Sequence, residues 1–208
     1  MSCLALRDEG LAVLDSLLSA DRVVRLREAV SGLNFKSVHA DGWNRSWSIG
    51  DGSPQRGDFL YYDPSGGRRS QGLLYPTGTP FDDLIDALVA AARKHPDVVG
   101  RENHDWDAIY LSPWVYPPGS ALRPHCDDGP YSGSFTFFLH DQWELHWGGE
   151  LIAYRMHPAS EGLGHAIVPL PDRLALLGPN VFHRVARVDQ TAGDHVRISI
   201  AGFFLRPM

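Results

Sequence analysis

Apolar positions along the chain change their period part-way. Between Ser19 and Gly32, Val23, Leu26 and Val30 recur on one helical face. Ser19 is placed to cap that helix, Asp21 is favoured in its first turn by the dipole, and Gly32 ends the run. Just before it, Leu11 to Leu18 (L-A-V-L-D-S-L-L) reads as a short strand or a turn of helix. A second helix opens at Thr79-Pro80, with Thr79 as cap and Pro80 in the first helical position. Phe81, Leu84, Ile85, Leu88 and Ala92 share a face that should pack against a sheet, and His95-Pro96 closes the helix. After Trp106 the pattern shortens to apolar, β-branched and aromatic runs: Trp106–Tyr116, Gly133–Leu139, Glu150–Tyr154, Ala166–Val168, Arg173–Leu177, His183–Val188 and His195–Leu205. Helices first and short strands afterwards predict an α+β chain whose C-terminal half is a sandwich or barrel.

Between Leu33 and Thr79 periodicity fades, yet the stretch holds Trp43, Trp47, Phe59, Tyr61, Tyr62 and Tyr75. So many aromatics carry surface that must be covered, which argues against disorder. Two readings stand equally: a segment that covers a substrate, or a surface strand pair with long turns. The Arg68-Arg69 pair reads as solvated.

Composition narrows the class. A chain of 208 residues suits one domain with a sizeable core. Its net charge of -6 argues against an electrostatic grip on nucleic acid or on an anionic membrane. Two cysteines, Cys3 at an expected frayed terminus and Cys126, make no disulfide framework and point to a reducing compartment. Arg7, Asp8 and Glu9 precede the first apolar run, unlike a signal peptide, and no run reaches membrane-spanning length. The expectation is a soluble cytoplasmic protein.

The chemistry gathers around Tyr116 to Asp127, Y-P-P-G-S-A-L-R-P-H-C-D. In an extended segment His125 and Asp127 point to one side and Cys126 to the other. An imidazole and a carboxylate so placed can grip one metal ion, and His183, where a run leaves the Gly178-Pro179-Asn180 turn, offers a third donor. Two histidines and a carboxylate on one face of an octahedron form the facial triad of non-haem Fe(II) oxygenases. Arg197 lies on a largely apolar run and shares its face with Ser199. A buried guanidinium needs an anion, and a dicarboxylate co-substrate would supply one, held bidentately.

H-x-D, a distant H and R-x-S in that order resemble the Fe(II)/2-oxoglutarate-dependent dioxygenases, in particular their prolyl-hydroxylase-like branch. Tyr116-Pro117 with Gly119 resembles that branch's Y-P-G segment, whose tyrosine contacts 2-oxoglutarate. Phe138-Leu139-His140-Asp141-Gln142-Trp143 followed by Gly148-Gly149-Glu150-Leu151 is similar to its L-N-x-x-W…G-G-x-L block, with His140 in place of asparagine. Arg173 to Leu177 resembles its R-L-x-x-F strand, and the likeness spans roughly residues 106 to 205.

The resemblance implies a double-stranded β-helix, or jelly roll, with N-terminal helices supporting one sheet. Residues 1–208 would form one dioxygenase domain, with a helical and substrate-covering part at 1–105 and the jelly-roll core at 106–208. It further implies Fe(II) held by His125, Asp127 and His183, and 2-oxoglutarate held by Arg197, Ser199 and Tyr116. Co-substrate and O2 would be converted to succinate and CO2 while an unactivated C–H bond is hydroxylated. Phe138 stands where relatives often carry a tyrosine, so that hydroxyl contact is absent, and Phe203 stands where some carry tryptophan.

The remaining candidates take plainer roles. His140, His146, His157, His165 and His195 read as surface or hydrogen-bonded residues, Cys126 as a packed small hydrophobe, and Trp143 and Trp147 as core or turn aromatics. Asp128 diverges from His125's face, while Arg123 faces either the metal side or solvent. The leading function is hydroxylation of a small molecule, an amino acid or natural-product intermediate. Hydroxylation of a protein prolyl residue and a non-catalytic jelly-roll binding module are the alternatives. An alkylation-repair demethylase is disfavoured, because Phe203 replaces that group's second arginine and no basic face is present. Oligomeric state stays open.

Overall fold

The computed structural model describes residues 2–40, 47–68, 72–127, 129–154 and 163–208. Trp43, Arg69, Asp128 and His157 lie outside them. In chain order the elements are β1 (Cys3–Asp8), β2 (Leu11–Asp15), α1 (Ala20–Ser31), β3 (Lys36–Ser37), β4 (Gln55–Arg56), β5 (Leu60–Tyr62), β6 (Leu73–Leu74), α2 (Phe81–Lys94) and α3 (Pro96–Val99). There follow β7 (Ala108–Tyr116), β8 (Leu122–His125), β9 (Tyr131–Phe138), β10 (Leu151–Tyr154), β11 (Gly164–Ile167), β12 (Arg173–Leu177), β13 (Phe182–Val185) and β14 (Arg197–Leu205).

Two sheets face each other as a jelly roll. The larger runs β1-β2-β12-β9-β14-β7-β4-β3, with β5 also pairing β7 and β6 pairing β5; the smaller runs β11-β10-β13-β8. Strand alternation divides the apolar residues of the large sheet between two cores. Ala12, Leu14, Leu174, Leu176, Ile109, Leu111, Ile200 and Phe204 turn outward against the faces of α1 and α2. Leu11, Val13, Ala175, Leu177 and Phe138 turn inward and meet Leu151, Ala153 and Ile167 of the small sheet. The central strands therefore bury both faces, which explains their nearly continuous apolar runs.

The helices form where the periodicity predicts them, with a shift of one residue at the cap of α2. Ser19 is the N-cap of α1 with extended backbone but makes no side-chain capping bond. Pro80, not Thr79, is the N-cap of α2, while the Thr79 hydroxyl accepts from the Phe81 N–H. Two expectations are corrected. Cys3 is no frayed terminus but opens β1, which pairs along β2. Arg68 is not a solvated cation: it donates to the Asp107 carboxylate and to the Arg206 carbonyl, tying the 63–68 turn to the chain's last strand. No helix among the described residues is long and apolar enough to cross a membrane.

Asp172 precedes β12 with a left-handed backbone (φ 58°). Its carboxylate accepts the Leu18 N–H and its carbonyl the Leu17 N–H, closing the chain between β2 and α1. Burial pushes its carboxyl up to about 6, with Asp15 adding to the rise and the two backbone bonds opposing it. A folded-state pKa raised in this way contributes stability that is present below the ordinary carboxylate range and is lost as pH rises through about 6. Asn tolerates left-handed backbone and keeps the acceptor oxygen. Asp172→Asn should therefore flatten the fall in thermal midpoint between pH 4.5 and 7.5, as followed by circular dichroism. A variant whose pH profile overlays the wild type would remove Asp172 as its source.

Candidate active site

The inner face of the large sheet forms one wall of a cavity of about 500 Å³ between the sheets. Alternate residues of β14 (Arg197, Ser199, Ala201, Phe203) and of β7 (Tyr116, Trp114, Ser112, Tyr110) line it. The antiparallel register pairs them in that order: Arg197 with Tyr116, Ser199 with Trp114, Ala201 with Ser112, Phe203 with Tyr110. The wall thus has a cationic end, a middle of small side chains and an aromatic end. Six residues of strand separate Arg197 from Phe203, about 20 Å at ~3.3 Å per residue. Gly202 lets β7 and β14 close up, because a Cβ there would lie 2.0 Å from the Tyr110 carbonyl oxygen.

The opposite wall carries the donors. In the β8–β13 pair His125 lies directly across from His183, with ring centroids 4.3 Å apart. Asp127, just past β8, reaches both: Oδ1 is 3.7 Å from His125 Nε2 and Oδ2 3.7 Å from His183 Nε2. One ligand atom from each of the three lies within 4.8 Å of the others. The outer nitrogens are committed: His125 Nδ1 is 2.9 Å from the Arg123 carbonyl and His183 Nδ1 2.9 Å from the Val181 carbonyl. A carbonyl only accepts, so each Nδ1 carries the proton and each Nε2 turns its lone pair inward. This is the outer support that a metal-binding histidine needs, and the donor set, two imidazole nitrogens and a carboxylate, suits Fe(II).

Arg197 is 1% exposed. Its Nε donates to the Gly149 carbonyl at 2.7 Å and its Nη1 to the Ser199 hydroxyl at 3.0 Å. The rings of Tyr116 and Phe138 lie 5.1 Å and 5.0 Å from the guanidinium carbon. Nη2 is buried and has no partner among the described residues. Burial lowers the guanidinium to about 10, so it remains a cation at neutral pH. Burial likewise raises the Tyr116 hydroxyl, which stays protonated as a donor. A cation with an unused donor beside a hydroxyl donor fits a carboxylate. The Gly148-Gly149 turn has left-handed backbone at both residues (φ 68° and 72°), and a Cβ on Gly149 would press on Arg197 Cδ at 3.1 Å. The glycine pair thus seats the arginine and gives it its carbonyl.

Residues 111–205 match the 2OG-Fe(II) oxygenase superfamily. Over that stretch the chain resembles that superfamily, whose members use Fe(II) and 2-oxoglutarate with O2. Among solved structures, a prolyl-4-hydroxylase from Pseudomonas putida is similar at 21% identity and TM-score 0.62, over 95% of this chain and 94% of that one. A 2OG-Fe(II) oxygenase-family oxidoreductase from Burkholderia pseudomallei is similar at 19% identity and TM-score 0.62, over 97% and 88%. An alpha-ketoglutarate-dependent epimerase of nogalamycin biosynthesis is similar at 13% identity and TM-score 0.61, over 95% and 78%. At such identities the likeness speaks for the fold. None of the curated proteins compared matches the chain.

All six residues singled out by sequence line the oxygenase cavity: His125, Asp127, His183, Arg197, Ser199 and Tyr116. The segment before Thr79 shows the strand pairing expected of its second reading. Its short strands β4 and β5 pair with β7, and Trp47 and Phe59 reach the cavity wall. Asp51, buried in a short 3-10 turn, holds Arg123 and was missed in the sequence; Gly149, noted there only within the G-G-x-L block, supplies a carbonyl to Arg197. The capping pattern Ser48-x-x-Asp51 was the available signal for the first.

His140 is buried, its ring 4.4 Å from that of Trp143, and its Nδ1 accepts the Ile198 N–H at 3.4 Å. Burial, with Arg197 adding to it, lowers the imidazole to about 3. A depressed folded-state pKa contributes stability that is present above the ordinary histidine value and is lost as pH falls toward 3. His140→Asn should therefore reduce the acid-side fall in thermal midpoint between pH 7 and 4.5, whatever its effect at neutral pH. An unchanged acid slope would show that His140 is not its origin.

Proposed function

We propose that this chain is an Fe(II)- and 2-oxoglutarate-dependent hydroxylase of a small molecule, with residues 1–208 acting as one oxygenase domain. His125, Asp127 and His183 would hold the metal, and Arg197, Ser199 and Tyr116 the distal carboxylate of 2-oxoglutarate. The observation that carries this is a buried guanidinium with an unpartnered nitrogen, in the same cavity as two inward-facing imidazoles and a carboxylate. When bound, Fe(II) with 2-oxoglutarate and O2 supplies the oxidant for an unactivated C–H bond and leaves succinate and CO2.

The chain's own residues do the rest. The carbonyls of Arg123 and Val181 fix the histidine tautomers, so the donor atoms are set before metal arrives. Gly149 and Ser199 hold the guanidinium plane and leave Nη2 to the co-substrate. Trp47, Trp114 and Phe138 keep water from that end, which strengthens the charge pairing there. The cavity volume falls in the range of small-molecule sites, and the aromatic walls from the 33–79 segment favour a small molecule over a polypeptide.

A prolyl residue of a protein is the second reading. It is supported by the solved neighbours that are prolyl hydroxylases, one of them in complex with a peptide fragment of hypoxia inducible factor from Trichoplax adhaerens. Succinate release from a small-molecule panel against a panel of proline-containing peptides decides between the two.

His125→Ala, Asp127→Ala and His183→Ala should each abolish Fe(II)-dependent succinate formation and weaken Fe(II) binding while leaving the circular dichroism spectrum intact. Near-wild-type turnover in any one would remove that residue from the triad. Arg197→Met should raise the apparent 2-oxoglutarate requirement on the order of a hundredfold, with far less effect on Fe(II), because a buried charge would lose its partner. Ser199→Ala should act in the same direction, more weakly. Equal co-substrate affinity in Arg197→Met would place the carboxylate elsewhere, and a protein that takes up neither group would leave only a binding module.

A further inference from the structure

β7 ends at Tyr116, the chain turns through residues 117–121, and β8 runs back along the facing wall. Position along β8 therefore maps onto position along β7. Leu122 and Arg123 lie toward the Tyr116 end and Asp127 toward the Tyr110 end. Burial is the main cause that raises both hydroxyls; Asp51, the partner of Arg123, adds to the rise at Tyr116, and Asp127 adds to that at Tyr110.

Arg123 lines the cavity with its side chain about half exposed (52%), so it stands at the mouth. Its one ion pair among the described residues is long: Nη2 is 3.5 Å from Asp51 Oδ2. That oxygen already accepts the Ser48 N–H at 2.6 Å and the Ser48 hydroxyl at 3.0 Å. Asp51 thus orients the guanidinium through one Nη2 N–H, and four of five N–H donors remain for a ligand. Among the described residues lining the cavity, the only acidic one is Asp127, a member of the triad. No carboxylate there is left for a cationic substrate. Arg197 is committed to the co-substrate, so Arg123 is the remaining cation.

The far end is built differently. Tyr131 and Phe203 stack at 4.2 Å, Tyr110 lies 5.1 Å from Phe203, and Phe59 meets Tyr110 edge-on at 5.5 Å. These rings give an aromatic cluster beyond the triad. Arg123 and Asp127 are four residues apart, which spans about 13 Å of extended chain.

We propose that the substrate is an elongated monocarboxylate: its carboxylate pairs with Arg123, its body crosses the triad, and its apolar or aromatic far end lies on Tyr110, Tyr131 and Phe203. This rests on the oxygenase reading above. The bond attacked is then remote from the carboxylate, not adjacent to it.

The test uses anaerobic protein loaded with Fe(II) and saturating 2-oxoglutarate, titrated by calorimetry. The probes are the ω-phenylalkanoates from phenylacetate to 6-phenylhexanoate and their primary amides. In the wild type the longer acids should bind about tenfold or more tightly than their amides, the scale of a charge-assisted pair. Arg123→Gln should erase that preference, Arg123→Lys should restore part of it, and Phe203→Ala should weaken the long acids more than phenylacetate. Uptake of 2-oxoglutarate by the same variants reports that they are folded. Acids and amides that bind the wild type equally, or bind it not at all, overturn the proposal, as does an acid preference that survives Arg123→Gln. Acid binding that weakens as 2-oxoglutarate rises would place the carboxylate at Arg197 and overturn it too. Failure to take up Fe(II) and 2-oxoglutarate in the first place is a different result and sinks the oxygenase reading itself.

Discussion

A guanidinium taken out of water costs several kcal/mol unless its donors are matched and its charge is met. Arg197 meets only part of that requirement. Two of its nitrogens bond neutral oxygens, two aromatic rings flank it, and one nitrogen is left over. Among the described residues it makes no salt bridge. Any anion that completes the arrangement would stabilise the folded state by mass action. Much of the local structure serves this one group. The double glycine turn aims a carbonyl at it, the register of β7 against β14 sets Tyr116 beside it, and Ser199 follows two residues along the same face.

The period of two then distributes the remaining tasks. Each central strand sends one set of side chains to the helices and the other into the space between the sheets. On β14 the outward set is Ile198, Ile200 and Phe204, and the inward set is Arg197, Ser199, Ala201 and Phe203. A slip of one residue would exchange the two sets, placing the arginine among leucines and the isoleucines in the cavity. Burial of both faces therefore enforces the register that the chemistry requires. On the other wall one cross-strand pair, His125 opposite His183, brings together residues 58 positions apart in sequence.

What could be read from the sequence follows from these local rules. The H-x-D spacing, the R-x-S spacing and the apolar runs are statements about alternation, and the strands after Trp106 form close to where those runs predict them. The helices are equally legible, because their apolar stripes face a core. The remainder depends on pairings that no local pattern encodes. β1 is a half-exposed strand whose register is set by β2. Arg68 donates through Nη2 to Asp107 and Arg206, far along the chain. His140 looks like a polar residue in a turn, yet the fold packs it against Trp143 and beside Arg197, where it must stay neutral. Arg123 was ambiguous because a register shift in the β8–β13 pair separates it from simple alternation.

The short strands before Thr79 show how edge protection and specificity share one element. β7 would otherwise present unpaired backbone on its side away from β14, the exposure that invites pairing with another chain. β4 covers it at Trp114 and Val115 and β5 at Ile109, Tyr110 and Leu111. Between them the Gly57 N–H donates to the Pro113 carbonyl, and proline has no N–H left to satisfy. Covering the edge in separate pieces leaves intervening chain free to bend over the mouth. That chain brings Phe59 to the aromatic end and Trp47, with Asp51 behind Arg123, to the other. His125, His183 and Arg197, by contrast, stand on β8, β13 and β14, whose pairing with their neighbours fixes the register. Changes in the edge pieces can therefore reshape the rim of the cavity while that register stays in place.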